Sequence, residues 1–154
     1  MAMTKAEKEF HRKTAVRAFN EAWELLDMKA RSAQDDRQML HLVHASRYHW
    51  GLVGNPGNIA VADWQISRAY ASLGQADLSL RFAESCLETC EKEGLVQIVH
   101  TAHEAMARAY AVGRDSRSAR RHLERARALL EELPLSSEDR RTYLEQIRET
   151  ESML

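Results

Sequence analysis

Two stretches of the chain repeat one another forty residues apart, and this restricts the fold more than any other feature. ISRAYASLGQADLSLRFAESCL begins at Ile66 and MARAYAVGRDSRSARRHLERARAL at Met106, sharing RAY at 68–70 and at 108–110. Self-similarity at a period of about 20–50 residues marks units that stack, because one unit alone cannot bury its apolar face. In each copy apolar residues recur at helical spacing on both sides of a glycine, Gly74 or Gly113. The unit therefore reads as helix, turn, helix. The same spacing extends over nearly the whole chain. Only two prolines and six glycines interrupt its 154 residues, which favours long helices, and no stretch carries a strand signal.

Punctuation divides the rest. The stripe Val16, Phe19, Trp23, Leu26 and Ala30 predicts a helix over about 4–30, with Arg17 and Glu21 placed to pair one turn apart. After SAQDD, whose Asp35 and Asp36 suit a first turn, a second helix runs to about Val53. GNPGN at 54–58 reads as a loop, with Asn58 as the cap of a third helix ending near Gly74. A fourth covers about 76–93 and stops at Gly94; a fifth covers about 96–112 and a sixth about 115–133, ended by Pro134. SSED at 136–139 opens a last helix. Seven helices joined by short loops pack as antiparallel neighbours. The expectation is one all-α domain over 1–154, with hairpins at about 4–53, 57–94 and 96–133 and a capping helix at about 136–152.

The two copies resemble the tetratricopeptide repeat, a helix–turn–helix of 34 residues. The first offers Ile66, Ser67, Tyr70 and Gly74, then Ser79, Ala83, Cys86 and Leu87. The second offers Met106, Ala107, Tyr110 and Gly113, then Ala119, Leu123 and Ala126. In the family, small residues at these points let helix axes approach, and the tyrosine fills the gap between hairpins. The chain departs from the pattern in three places. Gly113 comes one residue early, Ala83 is small where the family has bulk, and the repeat spacing is forty. The resemblance covers about 64–133, with a weaker copy upstream that places His44, Tyr48, Gly51 and Leu52 at packing positions before Pro56. It implies a short right-handed α-solenoid of three hairpins closed by a cap.

HLVHASRYHW at 41–50 is the one segment that hints at chemistry. On a helix His41 lies within about 20° of Tyr48, and His44 about 60° from His41, so these three share a face while His49 points elsewhere. One expectation is packing: His41 and His44 sit between hairpins, held by hydrogen bonds, with Tyr48 as a partner. The alternative is a small-molecule or metal-binding sensor in which His41 and His44 join His100 and His103 of HTAH. No HExxH or comparable motif marks a metal. No serine or cysteine sits in a nucleophile's context, which points away from an enzyme and requires no cofactor. Cys86 and Cys90, four apart on one helix, read as packing residues rather than a disulfide.

The formal net charge of −1 gives no field that would recruit nucleic acid. The arginines of RDSRSARRHLERAR are interleaved with glutamates and lack aromatic company, as on a solvated face. No apolar run reaches the roughly 18 residues of a membrane span, and MAMTKAEKEFHRK has no signal-peptide core. The expected setting is cytoplasmic. What the resemblance implies for function is a non-enzymatic interaction module that binds a peptide in a concave groove. Carrying the family's groove positions over gives Trp64, Arg68 and Ser72 in the first copy and Thr101, Glu104 and Arg108 in the second. An aromatic beside two arginines suits a segment with an acidic group; the competing expectation is that both arginines pair internally, with Asp63 or Glu104. The family's lysine–asparagine carboxylate clamp is absent. A homodimer that covers an end face or fills the groove is a further expectation.

Overall fold

In the computed structural model, which describes residues 1–154, five of the seven helix starts are set by side chains that satisfy the open N–H groups of a first turn. Thr4, Ser32 and Asn55 each accept from the N–H three residues on, and Glu7, Asp35 and Asn58 return the bond. Asp115 and Ser136 cap in one direction only. The resulting elements are α1 (Lys5–Leu26), α2 (Ala33–Val53), α3 (Pro56–Ser72), α4 (Ala76–Glu93), α5 (Val99–Val112), α6 (Ser116–Glu131) and α7 (Ser137–Glu151), with no strand. Three boundaries differ from expectation. Asn55, not Asn58, caps α3, because the fixed φ of Pro56 suits the first helical position. Helix α1 stops at Leu26 rather than near Ala30. Helix α5 starts three residues late, because Ile98 N–H closes a turn onto Leu95 O at 2.9 Å.

Three helices end in one way. The N–H of Gln75, Leu95 and Asp115 reaches back to the carbonyl of Tyr70, Cys90 and Tyr110 at 3.0, 2.9 and 2.9 Å. This closure needs a left-handed residue just before the donor. Gly74 at φ 71° and Gly94 at φ 64° provide it, but in the second repeat copy Arg114 does, at φ 64°. Gly113 lies at φ −77°. The glycine that looks one residue early in the sequence is one residue early in the turn.

Helices pair in chain order, α1 with α2, α3 with α4 and α5 with α6. Successive pairs meet through α2 with α3 and α4 with α5, and α7 packs on both α5 and α6. Helix α3 also touches α1 and α5. Small residues make these approaches close: Ala60, Ala83, Ala102 and Ala105 are at most 2% exposed. Ser67 and Ser79 each donate a hydroxyl to the other's backbone carbonyl, at 2.8 and 2.9 Å, and so fasten α3 to α4 without burying an open donor.

The apolar interior falls into three clusters. Ala22, Met39, Val43 and Ile66 join α1, α2 and α3. Trp64, Cys86, Cys90 and Met106 join α3, α4 and α5, with Phe19 and Trp23 packed against them. Leu123, Ala126, Leu130 and Ile147 join α6 to α7. Removal of this surface from water is the main favourable term in folding. Cys86 and Cys90 are free buried thiols; the hydrogen bond to Cys90 and burial push the Cys86 thiol far up, so it packs as a small apolar group. No helix is long and apolar enough to cross a membrane.

Candidate functional site on the shared face of α1, α3 and α5

Val16, Asn58, Val61 and Ile98 border one cleft, while Leu26, Ser72 and Arg108 border another. Helices α1, α3 and α5 therefore run in the same sense and share a face between the two clefts. Trp23 and Trp64 meet at its middle with ring centroids 5.4 Å apart. The Arg68 guanidinium lies 5.4 Å above the Trp23 ring, a cation–π distance.

At the far end the arginines of the two RAY copies converge on a single carboxylate. Arg68 Nη2 donates to Glu149 Oε2 at 2.9 Å, and Arg108 Nη2 donates to the same oxygen at 3.3 Å. Arg108 Nε also donates to Glu104 Oε1 at 3.1 Å, where the Thr150 hydroxyl adds a bond at 2.5 Å. The arginine side chains are only 14% and 10% exposed and Glu104 is 3% exposed, whereas Glu149 is 57% exposed. Charge-assisted bonds inside a partly dry site are among the stronger polar contacts in a protein. Burial alone raises the Glu149 carboxyl, but Arg108 and then Arg68 outweigh it and hold the group below the usual glutamate value. The network is not fully satisfied: Arg68 Nη1, Glu104 Oε2 and Trp64 Nε1 are buried without a partner. A cavity of about 200 Å³ lies alongside, bounded by Leu26, Arg68, Ala71, Ser72, Arg108, Glu149 and Met153.

The six expected groove residues do lie on this face, but it is not an open trough. Trp64, Thr101, Glu104 and Arg108 are buried. Trp23 covers Trp64, and α7 covers the Glu104–Arg108 end. Ser72 stays exposed and accepts from Arg31 Nη2 at 2.9 Å. Of the internal pairings expected for the arginines, Arg108 with Glu104 forms. Asp63 is instead taken by Arg47 and by the Ser85 hydroxyl, each at 2.8 Å. Glu149 and Thr150 were not foreseen as partners, since nothing in RETES at 148–152 announces a contact with residues 81 and 46 positions earlier. The near end of the face is open and apolar. Val16, Phe19, Trp50, Val61 and Ile98, with Asn55 and Asn58 on the rim, enclose a cleft of about 420 Å³.

His44 bonds and packs across to the second helix pair, as the packing expectation has it, though with Tyr70 rather than Tyr48 as its partner; the other histidines are placed differently. Met39, Val43 and Ser46 take the buried side of α2, which turns His41, His44 and Tyr48 outward. His44 Nε2 meets the Tyr70 hydroxyl at 2.9 Å and packs edge-on against Phe82, while Tyr48 is 63% exposed and does not bridge the histidines. His100 is buried, its ring centroid 4.5 Å from that of Tyr143 of α7. His103 faces His122 of α6 with the Nδ1 atoms 2.9 Å apart. His41, His44, His100 and His103 are thus not gathered into a metal set, and no group of three or more candidate ligands converges anywhere in the chain. Burial is the first cause that lowers His44, His100 and His103, and it takes His103 to about 4 with help from His122 and Arg125. A second imidazole pair, His11 with His49 at 2.7 Å, joins α1 to α2; its members are 38 residues apart and carry no local signal.

Comparison of the chain with protein-family models, with curated proteins and with solved structures finds no match, so the reading of this face rests on its own geometry.

Proposed function

We propose that the protein is a non-enzymatic interaction module, a short tetratricopeptide-like α-solenoid that binds an acidic peptide segment on the concave face of α1, α3 and α5. The observation that carries this reading is the convergence of Arg68 and Arg108, one from each repeat copy, on a single carboxylate oxygen. Two largely buried guanidiniums on rigid helices form a receptor for a planar anion, because the fork geometry is held before the ligand arrives. The open cleft at Val16, Phe19, Val61 and Ile98 supplies apolar area for a neighbouring side chain of the same segment. Binding of this kind asks for no acid–base pair or nucleophile. The charge-balanced surface and the free thiols fit a cytoplasmic setting.

A peptide-array screen with the full chain tests the reading. Bound peptides are expected to carry Asp or Glu near an apolar residue. Arg68→Gln is expected to weaken them at least about tenfold, the scale of one lost charge-assisted bond. Selected peptides without acidic residues, or binding unchanged by Arg68→Gln, would overturn it.

A further inference from the structure

Glu149 is an imperfect occupant of the arginine site. It takes both arginine bonds on the one oxygen, Oε2, and leaves Arg68 Nη1 buried and unpaired. A carboxylate facing Arg68 squarely would engage two guanidinium nitrogens together, as fork-to-fork pairs do. The neighbouring cavity of about 200 Å³ leaves room for that approach.

Helix α7, which carries Glu149, is lightly held. It buries only Ile147 and Thr150, with Tyr143 and Leu144 partly covered. It packs on α5 and α6, Arg140 donates to the Leu130 and Leu133 carbonyls at the end of α6, and the Glu149 bond reaches across to α3. Elements with few buried apolar contacts open at lower free energy than the body of a domain. The exposed flank of the Glu149 carboxylate gives a competing acid a point of entry.

We infer that α7 is a displaceable internal ligand, and that the partner is an acidic amphipathic helix whose carboxylate replaces that of Glu149 on Arg68 and Arg108. This rests on the reading of the face as an acidic-peptide receptor and adds to it the shape of the partner. The partner segment carries the α7 pattern: an apolar anchor at the place of Ile147, a carboxylate two residues on, and a hydroxyl next to it for Glu104. Because α7 is tethered through residues 132–136, its local concentration is high, and a free segment competes poorly until α7 is released.

The test uses the full chain and a fluorescent peptide with the sequence of residues 137–154. The wild type is compared with an Ile147→Asp/Glu149→Gln variant, which loses the Ile147 packing and the Glu149 ion pairs; circular dichroism reports whether the other six helices persist. The released variant is expected to bind the peptide at least about tenfold more tightly than the wild type, and Arg68→Gln added to it is expected to abolish the gain. Equal affinity for both chains would overturn the internal-ligand proposal, and the receptor reading would survive if Arg68→Gln still weakened binding. No binding to the released chain would also overturn it, while array-selected acidic peptides that still depend on Arg68 would keep the receptor. If the double variant fails to fold, amide exchange of Glu149→Gln alone decides. Exchange in residues 137–151 is expected to quicken at least about tenfold with α3 to α6 unchanged, and unaltered α7 exchange would overturn the proposal.

Discussion

Arg108→Leu isolates the most buried charge in the network. Glu104 sits at 3% exposure with Arg108 Nε 3.1 Å from its Oε1, and the hydroxyl of Thr150 is its one other donor. Removing the guanidinium leaves a carboxylate in the interior without a countercharge, a change that costs about 3–5 kcal/mol. Urea unfolding followed by circular dichroism is expected to show a loss of about 3–5 kcal/mol at pH 7. Adding Glu104→Gln keeps an acceptor for Thr150 and removes the charge, and is expected to recover all but about 1 kcal/mol. A loss under about 1 kcal/mol at pH 7, or no recovery in the double variant, would refute this account of the pair.

The turn after α5 predicts a stabilising change. Arg114 holds the left-handed position that Gly74 and Gly94 fill elsewhere, so Arg114→Gly is expected to add about 0.5–1 kcal/mol, net of the freedom glycine gains in the unfolded chain, and Gly74→Ala to remove about 1 kcal/mol, both read from urea midpoints. His103 predicts an acid limb. Its value falls from 6.5 in the open chain to about 4 in the fold, so the unfolded state takes up the proton first as pH drops. The full linkage of about 3.4 kcal/mol shrinks to about 1–2 kcal/mol for a partly solvated ring. Between pH 6.5 and 5 the wild type is expected to lose about 1 kcal/mol more than His103→Gln, and parallel stability curves would contradict this.

Periodicity carried the seven helices because apolar residues recur at helical spacing and most ends carry recognisable punctuation, such as Gly94 after α4 or Ser136 before α7. It carried the inner-face positions of α3 and α5 through the RAY repeat, so Trp64, Arg68, Glu104 and Arg108 fall on one face. It failed at α2, where one flank holds Met39 and Val43 and the other holds His41, His44 and Tyr48. Both flanks can pack, and only the surroundings decide which goes inward. It failed more fully for the partners of the arginines. Helix α7 is a polar helix that buries Ile147 and Thr150, and the reach of Glu149 across to α3 depends on how distant helices pack. The His11–His49 and His103–His122 pairs were invisible for the same reason, since each joins two helices through residues that look solvent-facing in isolation.

The most direct test of the account is an NMR titration of the arginine Nε–H signals with the acidic peptide that the array selects. The prediction is that the Arg68 and Arg108 signals shift together and saturate, with the signals of arginines outside this face, such as Arg117 and Arg141, left in place. Saturable binding that leaves Arg68 and Arg108 unmoved would show that the peptide is read elsewhere on the molecule, and the paired-arginine receptor would be wrong.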